Sequence, residues 1–308
     1  MSEMKKTKTA FSALAMLCAI GIGQVMPAHA HEGLPPGHGH LFLVSTGTGD
    51  LDNMTIRAHK VITQADIVFT MQPEGADKRY GDLLKGKKLY PAGHGLFWKR
   101  DRAENDNRKA DGKAERAAKH AKGKEGDKDK DNRRRHEDPA KLEAQARKVI
   151  REAVGAGRNV VVLDNGDPLV YGPHSGYLKE FEDLKPIVVP GISSFNAANA
   201  ALQRGVIGGE GRAVILTSSK GGAGNSDHVK KLAESRSSMV FFMNRSIPEL
   251  VAELKTSYPG DTPIAIVADA GFRKEEKVIK ATLDTIVGQL GPDKLPFAHL
   301  VYVGDFLR

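Results

Sequence analysis

The sequence is poor in cysteine: it holds only Cys18, which lies within an apolar stretch near the amino terminus. If that stretch is a cleaved signal, the remaining chain has no thiol. A disulfide, a thiol nucleophile and a cysteine-ligated metal are then excluded. Long apolar runs are also lacking, because no segment beyond residue 30 approaches the roughly 20 apolar residues of a membrane-spanning helix. We therefore expect a protein that does not span a membrane.

The amino terminus contains the three parts of a secretory signal in the usual order. A start with three lysines precedes an apolar stretch over residues 11–23, and residues 28–30 read Ala-His-Ala. A basic region, an apolar region and an A-x-A cleavage site are typical of exported proteins. We predict a signal peptide over residues 1–30, cleavage after Ala30, and a location in the periplasm or outside the cell.

A leader rich in histidine, glycine and proline follows over residues 31–39. Cleavage would leave His31 at the new amino terminus, with His38 and His40 nearby. An α-amino group and imidazoles can together bind copper, nickel or zinc. We favour a flexible leader over a metal site and assign no metal ligands.

The positive charge is concentrated in one segment. The formal net charge is +8, and residues 99–136 hold fifteen Lys and Arg against nine Asp and Glu. This segment has no apolar period, so it cannot bury enough surface to form a packed structure. We predict a solvated insertion over residues 99–137 that contacts anionic polymers weakly through charge. Specific nucleic-acid recognition is not expected, because aromatic stacking residues are missing.

Short apolar runs alternate with helical stretches along the rest of the chain. Runs over 40–46, 66–71, 87–92, 159–166 and 186–191 are rich in β-branched residues and lack alternation, which is typical of parallel strands buried on both faces. Residues 53–65 and 138–157 are predicted helices, the second ending at a glycine. After residue 191 the runs are spaced less regularly, and adjacent strands near the end indicate a mixed sheet.

We therefore predict two α/β domains, over residues 40–188 and 189–308. Ligands of such folds bind beyond the carboxyl ends of the strands and between domains. The functional cleft is accordingly expected between the two domains.

Four strand ends carry small residues, over 45–50, 164–172, 189–202 and 267–283. Such turns let a ligand approach the main chain closely. The first, "STGTGD", is not a dinucleotide loop, because Asp52 stands where the third glycine is required, and no Lys-Ser/Thr pair follows as in a P-loop.

Together these four stretches resemble the tetrapyrrole methylase family, S-adenosylmethionine-dependent C-methyltransferases of the sirohaem and cobalamin pathways. "GTGDLDNMTIRA" is similar to the family's G-x-G-P-G-D-P-x-L-L-T-x-R-A, although Thr48 and Leu51 replace its two prolines. "GDPLVYG" retains the family's G-D-P-x-x-Y/F-G, and the fourth stretch looks most like the precorrin-4 methyltransferase branch. The resemblance covers about residues 40–98 and 138–308.

The resemblance implies S-adenosylmethionine as cofactor, a tetrapyrrole as substrate and a homodimer. It implies that the methyl donor is held by Thr48, Asn165, Gly166, Asp167, Val170, Ser193, Ser194, Met243 and Ala270. Two of these have structural alternatives, since Asp167 can be a turn residue and Met243 ordinary core. On the substrate side we expect His94, Tyr171 and His174.

No catalytic residue is assigned, because a sulfonium methyl is already an activated electrophile that a tetrapyrrole carbon can attack directly. The leading hypothesis is a C-methyltransferase acting on a tetrapyrrole. The alternative is an exported tetrapyrrole- or metal-binding protein that keeps the fold without methyl transfer.

The signal generates the first testable prediction. Protein purified from fractionated cells should begin at His31 and be recovered from the periplasm or the medium, because cleavage follows the A-x-A site. Amino-terminal sequencing makes the measurement. An intact start at Met1 or Ser2 in the cytoplasmic fraction would contradict export.

Overall fold

The computed structural model describes residues 39–98, 138–207, 213–218, 227–244, 246–291 and 295–308. These residues form an α/β fold with two five-stranded sheets. The signal peptide predicted over residues 1–30, the leader up to residue 38 and the insertion 99–137 lie outside the described residues. Export and the roles of these segments stay predictions.

The first sheet is built from the five apolar runs that precede residue 192. Its strands are β1 (Leu41–Ser45), β2 (Ile67–Thr70), β3 (Lys88–Pro91), β4 (Val160–Asp164) and β5 (Ile187–Val189). They lie in the order β3-β2-β4-β1-β5, and every pairing is parallel. Every residue of β1, β2 and β4 is buried, which explains why these runs do not alternate. The predicted parallel sheet is confirmed.

The second sheet is mixed, as predicted. Its strands are β6 (Val214–Ser218), β7 (Ser238–Phe242), β8 (Pro263–Ala268), β9 (Lys277–Thr282) and β10 (His299–Val303), in the order β6-β7-β10-β8-β9. Strands β6 and β7 are parallel, whereas β10 runs antiparallel to both of its neighbours and β9 runs antiparallel to β8.

Eight α-helices connect or cover these strands in the described part of the chain. They are α1 (Ile56–Thr63), α2 (Ala76–Tyr80), α3 (Pro139–Gly155), α4 (Gly176–Glu180), α5 (Ser194–Leu202), α6 (His228–Ala233), α7 (Ile247–Leu254) and α8 (Ile286–Leu290). Short 3-10 turns occur at Leu51–Asn53, Gly81–Leu84, Glu182–Leu184 and Asp305–Leu307. Among the described helices, none combines the length and apolar content that crossing a membrane requires.

The two helices predicted from sequence are present, with adjusted starts. Helix α1 begins at Ile56 and not at Asn53, because a 3-10 turn occupies the first positions and Thr55 caps the helix by accepting a hydrogen bond from the Ala58 amide. Helix α3 starts at Pro139 after the Asp138 cap. It is followed by Gly157 with a φ of 76°, as the predicted glycine stop requires.

The chain leaves the first sheet after Val189, and the next helix, α5, packs against the second sheet. Ala197, Ala198 and Leu202 of α5 contact a core that includes Val240 and Tyr302. The opposite face of the second sheet is covered by α6, α7 and α8, around buried side chains such as Phe241 and Leu250. Each sheet therefore has its own apolar core.

The core of the second sheet gives a prediction of stability. Phe241 is fully buried, so Phe241→Ala should lower the free energy of unfolding by about 3–5 kcal/mol through lost transfer energy and a residual cavity. Phe297→Ala is the matched control, because the same deletion is made on a ring that is 71% exposed. Urea unfolding of both variants measures the difference, and equal losses would contradict this assignment of the core.

Candidate active site

Three of the four small-residue turns meet at one edge of the first sheet. Strands β4 and β5 flank β1 and run parallel to it, with Val44 opposite both Leu163 and Val189. The loops that follow these strands therefore emerge side by side. This is the place where parallel α/β sheets bind ligands.

Short polar contacts join the first two loops. The Gly166 amide donates to the Gly47 carbonyl at 2.8 Å, and the Ser45 hydroxyl donates to the Gly166 carbonyl at 2.6 Å. Ser45 is completely buried and also accepts a hydrogen bond from the Gly47 amide at 3.0 Å. The third loop passes so close that a Cβ atom at Gly191 would lie 2.0 Å from the Ser45 hydroxyl. Side chains are thus excluded where the loops touch.

The fourth loop comes from the second sheet, after β8, and touches the first loop. The Asp50 amide donates to the Gly271 carbonyl at 2.9 Å, and the Asn53 side-chain amide donates to the carbonyls of Thr48 and Gly271. Gly49 has a φ of 79°, and a Cβ atom there would lie 2.1 Å from the Gly271 main chain. The two sheets are therefore joined by direct contact between glycine backbones.

A cavity of about 150 Å³ lies where the four loops converge. We call it the central cavity. Its wall is formed by Thr48, Asn165, Gly166, Val170, Tyr171, Ser194, Phe242, Met243, Val267, Asp269, Ala270, Phe272, Phe297, Ala298, His299 and Leu300. A larger cavity of about 510 Å³ adjoins it, since Met243, Phe297 and His299 line both. The combined space is largely apolar.

Eight of the residues that the family resemblance associates with ligands line the central cavity. They are Thr48, Asn165, Gly166, Val170, Tyr171, Ser194, Met243 and Ala270. Met243 is not an ordinary core residue, because it is 38% exposed and borders both cavities. These positions are up to 222 residues apart in sequence, so only the fold brings them together.

Two of the predicted donor contacts hold the loops in place and do not line the wall. Asp167 accepts from the Leu169 amide within its own turn at 2.9 Å and from the Gly191 amide at 3.3 Å. Asp167 therefore acts as a turn residue, which is the structural alternative given above. Ser193 is 3% exposed and caps helix α5 through reciprocal hydrogen bonds with Asn196.

The two predicted substrate histidines also lie away from the wall. His94 is exposed on the loop after β3 and does not border the central cavity. His174 is fully buried, with Nδ1 3.2 Å from Oδ2 of Asp164, which is itself 1% exposed. A buried side chain cannot reach a substrate, so the position of His174 does not suit the predicted contact. The pair lies beneath the 164–172 loop, where the His174 amide also donates to Asp164.

Backbone strain is concentrated at the central cavity. Three of the seven non-glycine residues with positive φ in the described ranges line it: Tyr171 at 60°, Met243 at 48° and Asp269 at 48°. Left-handed backbone at such residues costs about 1–3 kcal/mol each and is retained mainly at functional sites. The ring of Tyr171 stacks on Phe242 with centroids 4.4 Å apart, which helps to hold one of these conformations.

Sequence reasoning missed Asp269, the one carboxylate on the wall. It immediately precedes the predicted contact Ala270, so its place at the end of an apolar strand was the available signal. Within the described residues, no hydrogen bond or ion pair engages its carboxylate. The wall therefore offers one unpaired negative charge to a ligand.

His299 of the wall and two buried tyrosines of the fold are engaged in structural contacts. Both ring nitrogens of His299 lie 2.7 Å from carbonyl oxygens, of Pro296 and Asn244. Burial raises the phenol pKa of Tyr177 and Tyr302, and each hydroxyl donates to an oxygen acceptor. In the described part of the chain, no three His, Cys, Asp or Glu side chains gather as metal ligands would. The cavity is thus equipped for binding and positioning.

The chain belongs to the family described as Tetrapyrrole (Corrin/Porphyrin) Methylases, which its residues 40–287 match. It is 31% identical to the cobalt-precorrin-4 C(11)-methyltransferase of Methanocaldococcus jannaschii over 52% of this chain and 64% of that protein. It is 29% identical to the precorrin-4 C(11)-methyltransferase of Mycobacterium tuberculosis over 55% of this chain and 70% of that protein. The predicted resemblance, including its precorrin-4 side, is confirmed.

Solved structures share the fold. A cobalt precorrin-4 methyltransferase of cobalamin biosynthesis aligns with a TM-score of 0.63 at 20% identity, over 90% of this chain and 100% of that chain. The uroporphyrin-III C-methyltransferase of Thermus thermophilus, solved with S-adenosylhomocysteine, aligns with a TM-score of 0.57 at 19% identity, over 88% and 99% of the two chains.

The contact between the glycine loops gives a second prediction of stability. Gly49→Ala forces a methyl group into the Gly271 backbone, so it should lower the free energy of unfolding by about 1–3 kcal/mol more than Gly75→Ala. Gly75 is a matched control, because it has a similar φ of 85° and open space around its Cβ position. Thermal or urea unfolding compares the two. Equal losses would show that the loops do not need this close approach.

Proposed function

We propose that the protein transfers a methyl group from S-adenosylmethionine to a carbon atom of a tetrapyrrole. The observation that carries the proposal is the convergence of four loops with the family's motifs on one cavity, whose wall holds eight of the residues assigned to ligands by resemblance. The names of the relatives favour a precorrin-like substrate. Since the match spans 64% of the first of these relatives, substrate and activity belong to the proposal.

The residues of the central cavity fit the chemical groups of S-adenosylmethionine. Val170, Met243 and Ala270 present apolar surface to its carbon-rich parts, while Asn165 is exposed on the wall at the second loop and offers polar groups. The donor carries an ammonium and a sulfonium, and Asp269 supplies the unpaired carboxylate that can neutralise one of these charges. The strained backbone places this carboxylate on the wall before any ligand arrives.

The donor supplies a methyl group that is already bonded to a positively charged sulfur. The chain's own task is to align the donor with the attacking carbon and to keep water out. Positioning of two reactants can lower a barrier by roughly 7–11 kcal/mol. The apolar wall helps to exclude water. The loops, joined main chain to main chain, and the stacked Tyr171–Phe242 pair keep the site in one geometry. No acid or base on the wall needs to be assigned.

Calorimetric titration of the full chain with S-adenosylmethionine tests the proposal directly. We expect saturable binding with one site per chain. Absence of detectable binding would remove the methyltransferase assignment. If a porphyrin still bound in that case, the protein would be a tetrapyrrole-binding member of the family without methyl transfer.

Asp269 provides a sharper prediction. Asp269→Asn keeps the shape and removes the charge, so it should weaken donor binding about tenfold to a hundredfold, as expected for a hydrogen bond to a charged group. Asp261→Asn is the control, because Asp261 lies before β8, at the opposite end of the strand that precedes Asp269, and its carboxylate accepts a hydrogen bond from Arg308 at 3.4 Å.

Parallel titrations with S-adenosylhomocysteine, which lacks the sulfonium charge, assign the contact. A loss for both ligands places the carboxylate at the ammonium, and a loss for S-adenosylmethionine alone places it at the sulfonium. Unchanged affinity of both ligands for Asp269→Asn would contradict a role in donor binding.

A further inference from the structure

Arg79 lies at the rim of the central cavity, on the short helix α2. It contacts residues of three of the four surrounding loops. Its Nη2 atom donates to the Gly49 carbonyl at 3.3 Å and to the side-chain oxygen of Asn165 at 3.1 Å. Its guanidinium carbon lies 5.7 Å from the ring centre of Phe272, on the fourth loop. Asn165 and Phe272 both line the cavity, whereas Arg79 itself stands just outside.

In the part of the chain that the structure describes, the charge of Arg79 has no neutralising partner. Within the described residues, no carboxylate lies within ion-pair distance of its guanidinium, and Nη1 and Nε contact no acceptor. The other arginine at this rim behaves differently, since Arg273 pairs with Asp52 and lies 4.0 Å from Asp50. Arg79 is therefore a half-buried cation that is held in place by neutral groups and an aromatic face.

This arrangement leaves donors of the guanidinium free to bind an anion. The Nε and Nη1 N–H groups are not used within the described residues, and each can donate a charge-assisted hydrogen bond to a carboxylate oxygen. The stacking on Phe272 and the two hydrogen bonds reduce the side-chain entropy that binding would otherwise cost. A ligand carboxylate beside the cavity mouth would meet a preorganised partner.

We propose that Arg79 binds a carboxylate side chain of the tetrapyrrole substrate and so orients the macrocycle over the central cavity. The inference rests on the proposed function, because it requires an acidic macrocycle at this rim. The position outside the wall favours the macrocycle over the donor's own carboxylate, which belongs to the ligand inside. Arg79 is then a determinant of substrate specificity that contributes no chemistry to methyl transfer.

The test uses the full chain, uroporphyrin as an acidic porphyrin probe, and the fully esterified form of uroporphyrin. Fluorescence titration measures the affinity of both probes for the wild type, Arg79→Gln and Arg79→Lys. We expect Arg79→Gln to weaken uroporphyrin binding about tenfold to a hundredfold, and Arg79→Lys to retain part of the affinity because it keeps the charge but has fewer donors to hold the side chain in place. The esterified probe should bind all three proteins equally.

Lys78→Gln is the matched control, because it removes a positive charge from the next position of the same helix, on an exposed side chain. It should leave uroporphyrin affinity unchanged within about twofold. Raised ionic strength should weaken uroporphyrin binding to the wild type more than to Arg79→Gln, because part of the attraction is a partly exposed charge pair.

Separate titration with S-adenosylhomocysteine distinguishes the source of the carboxylate and the cause of any failure. Unchanged donor-site affinity in Arg79→Gln, together with lost uroporphyrin affinity, supports the inference. It is overturned if Arg79→Gln binds uroporphyrin normally, if the loss falls on S-adenosylhomocysteine instead, or if the wild type does not bind uroporphyrin. If the wild type binds uroporphyrin but no donor, the methyltransferase proposal is refuted. The comparison of Arg79→Gln with the wild type would still test whether Arg79 binds a carboxylate of the macrocycle.

Discussion

The contact between two glycine backbones, at Gly49 and Gly271, is the constraint on which the site depends. One loop follows a strand of the parallel sheet and the other follows a strand of the mixed sheet. Their main chains come so close that a methyl group has no place between them. Because the loops meet without side chains, their carbonyl and amide groups bond each other directly, and the cavity beside them acquires a wall from both sheets.

This contact also explains why the family's first motif can lose its prolines in this chain. A proline restricts φ and stiffens a turn on its own. Here the stiffness comes from outside the turn: the Asn53 amide spans the Thr48 and Gly271 carbonyls, and Arg273 pairs with Asp52. Asp52 and Asn53, which depart from the family pattern, are the residues that make these cross-loop contacts. Contacts between the first and fourth loops thus take the place of the two prolines in restricting the turn.

Much of the fold could be predicted from the sequence, because buried parallel strands leave continuous apolar runs and helix ends leave caps and glycines. Eight residues of the cavity wall were found through motifs, which mark the strand ends, whereas others, such as Asp269, were missed. His174 was misplaced because a motif gives a position along the chain and says nothing of the direction of a side chain; the ring is fully buried beside the Asp164 carboxylate. Arg79 has no motif at all, and its contact with Asn165 spans 86 residues, so only the folded structure reveals it.

Among the described residues, the interior and the rim of the cavity carry unpaired side chains of opposite charge. Inside, the wall is largely apolar and carries one carboxylate, Asp269, so charge pairing with a cationic ligand would be strengthened there by the low-dielectric surroundings. At the rim, Arg79 is a cation without an ion-pair partner among the described residues, and it attracts ligands of the opposite sign. A positively charged reagent and a polyanionic macrocycle would thus be sorted to different depths of one site. If the protein methylates a tetrapyrrole as proposed, such sorting would place the donor inside and the macrocycle above it, with no proton-transferring side chain needed between them.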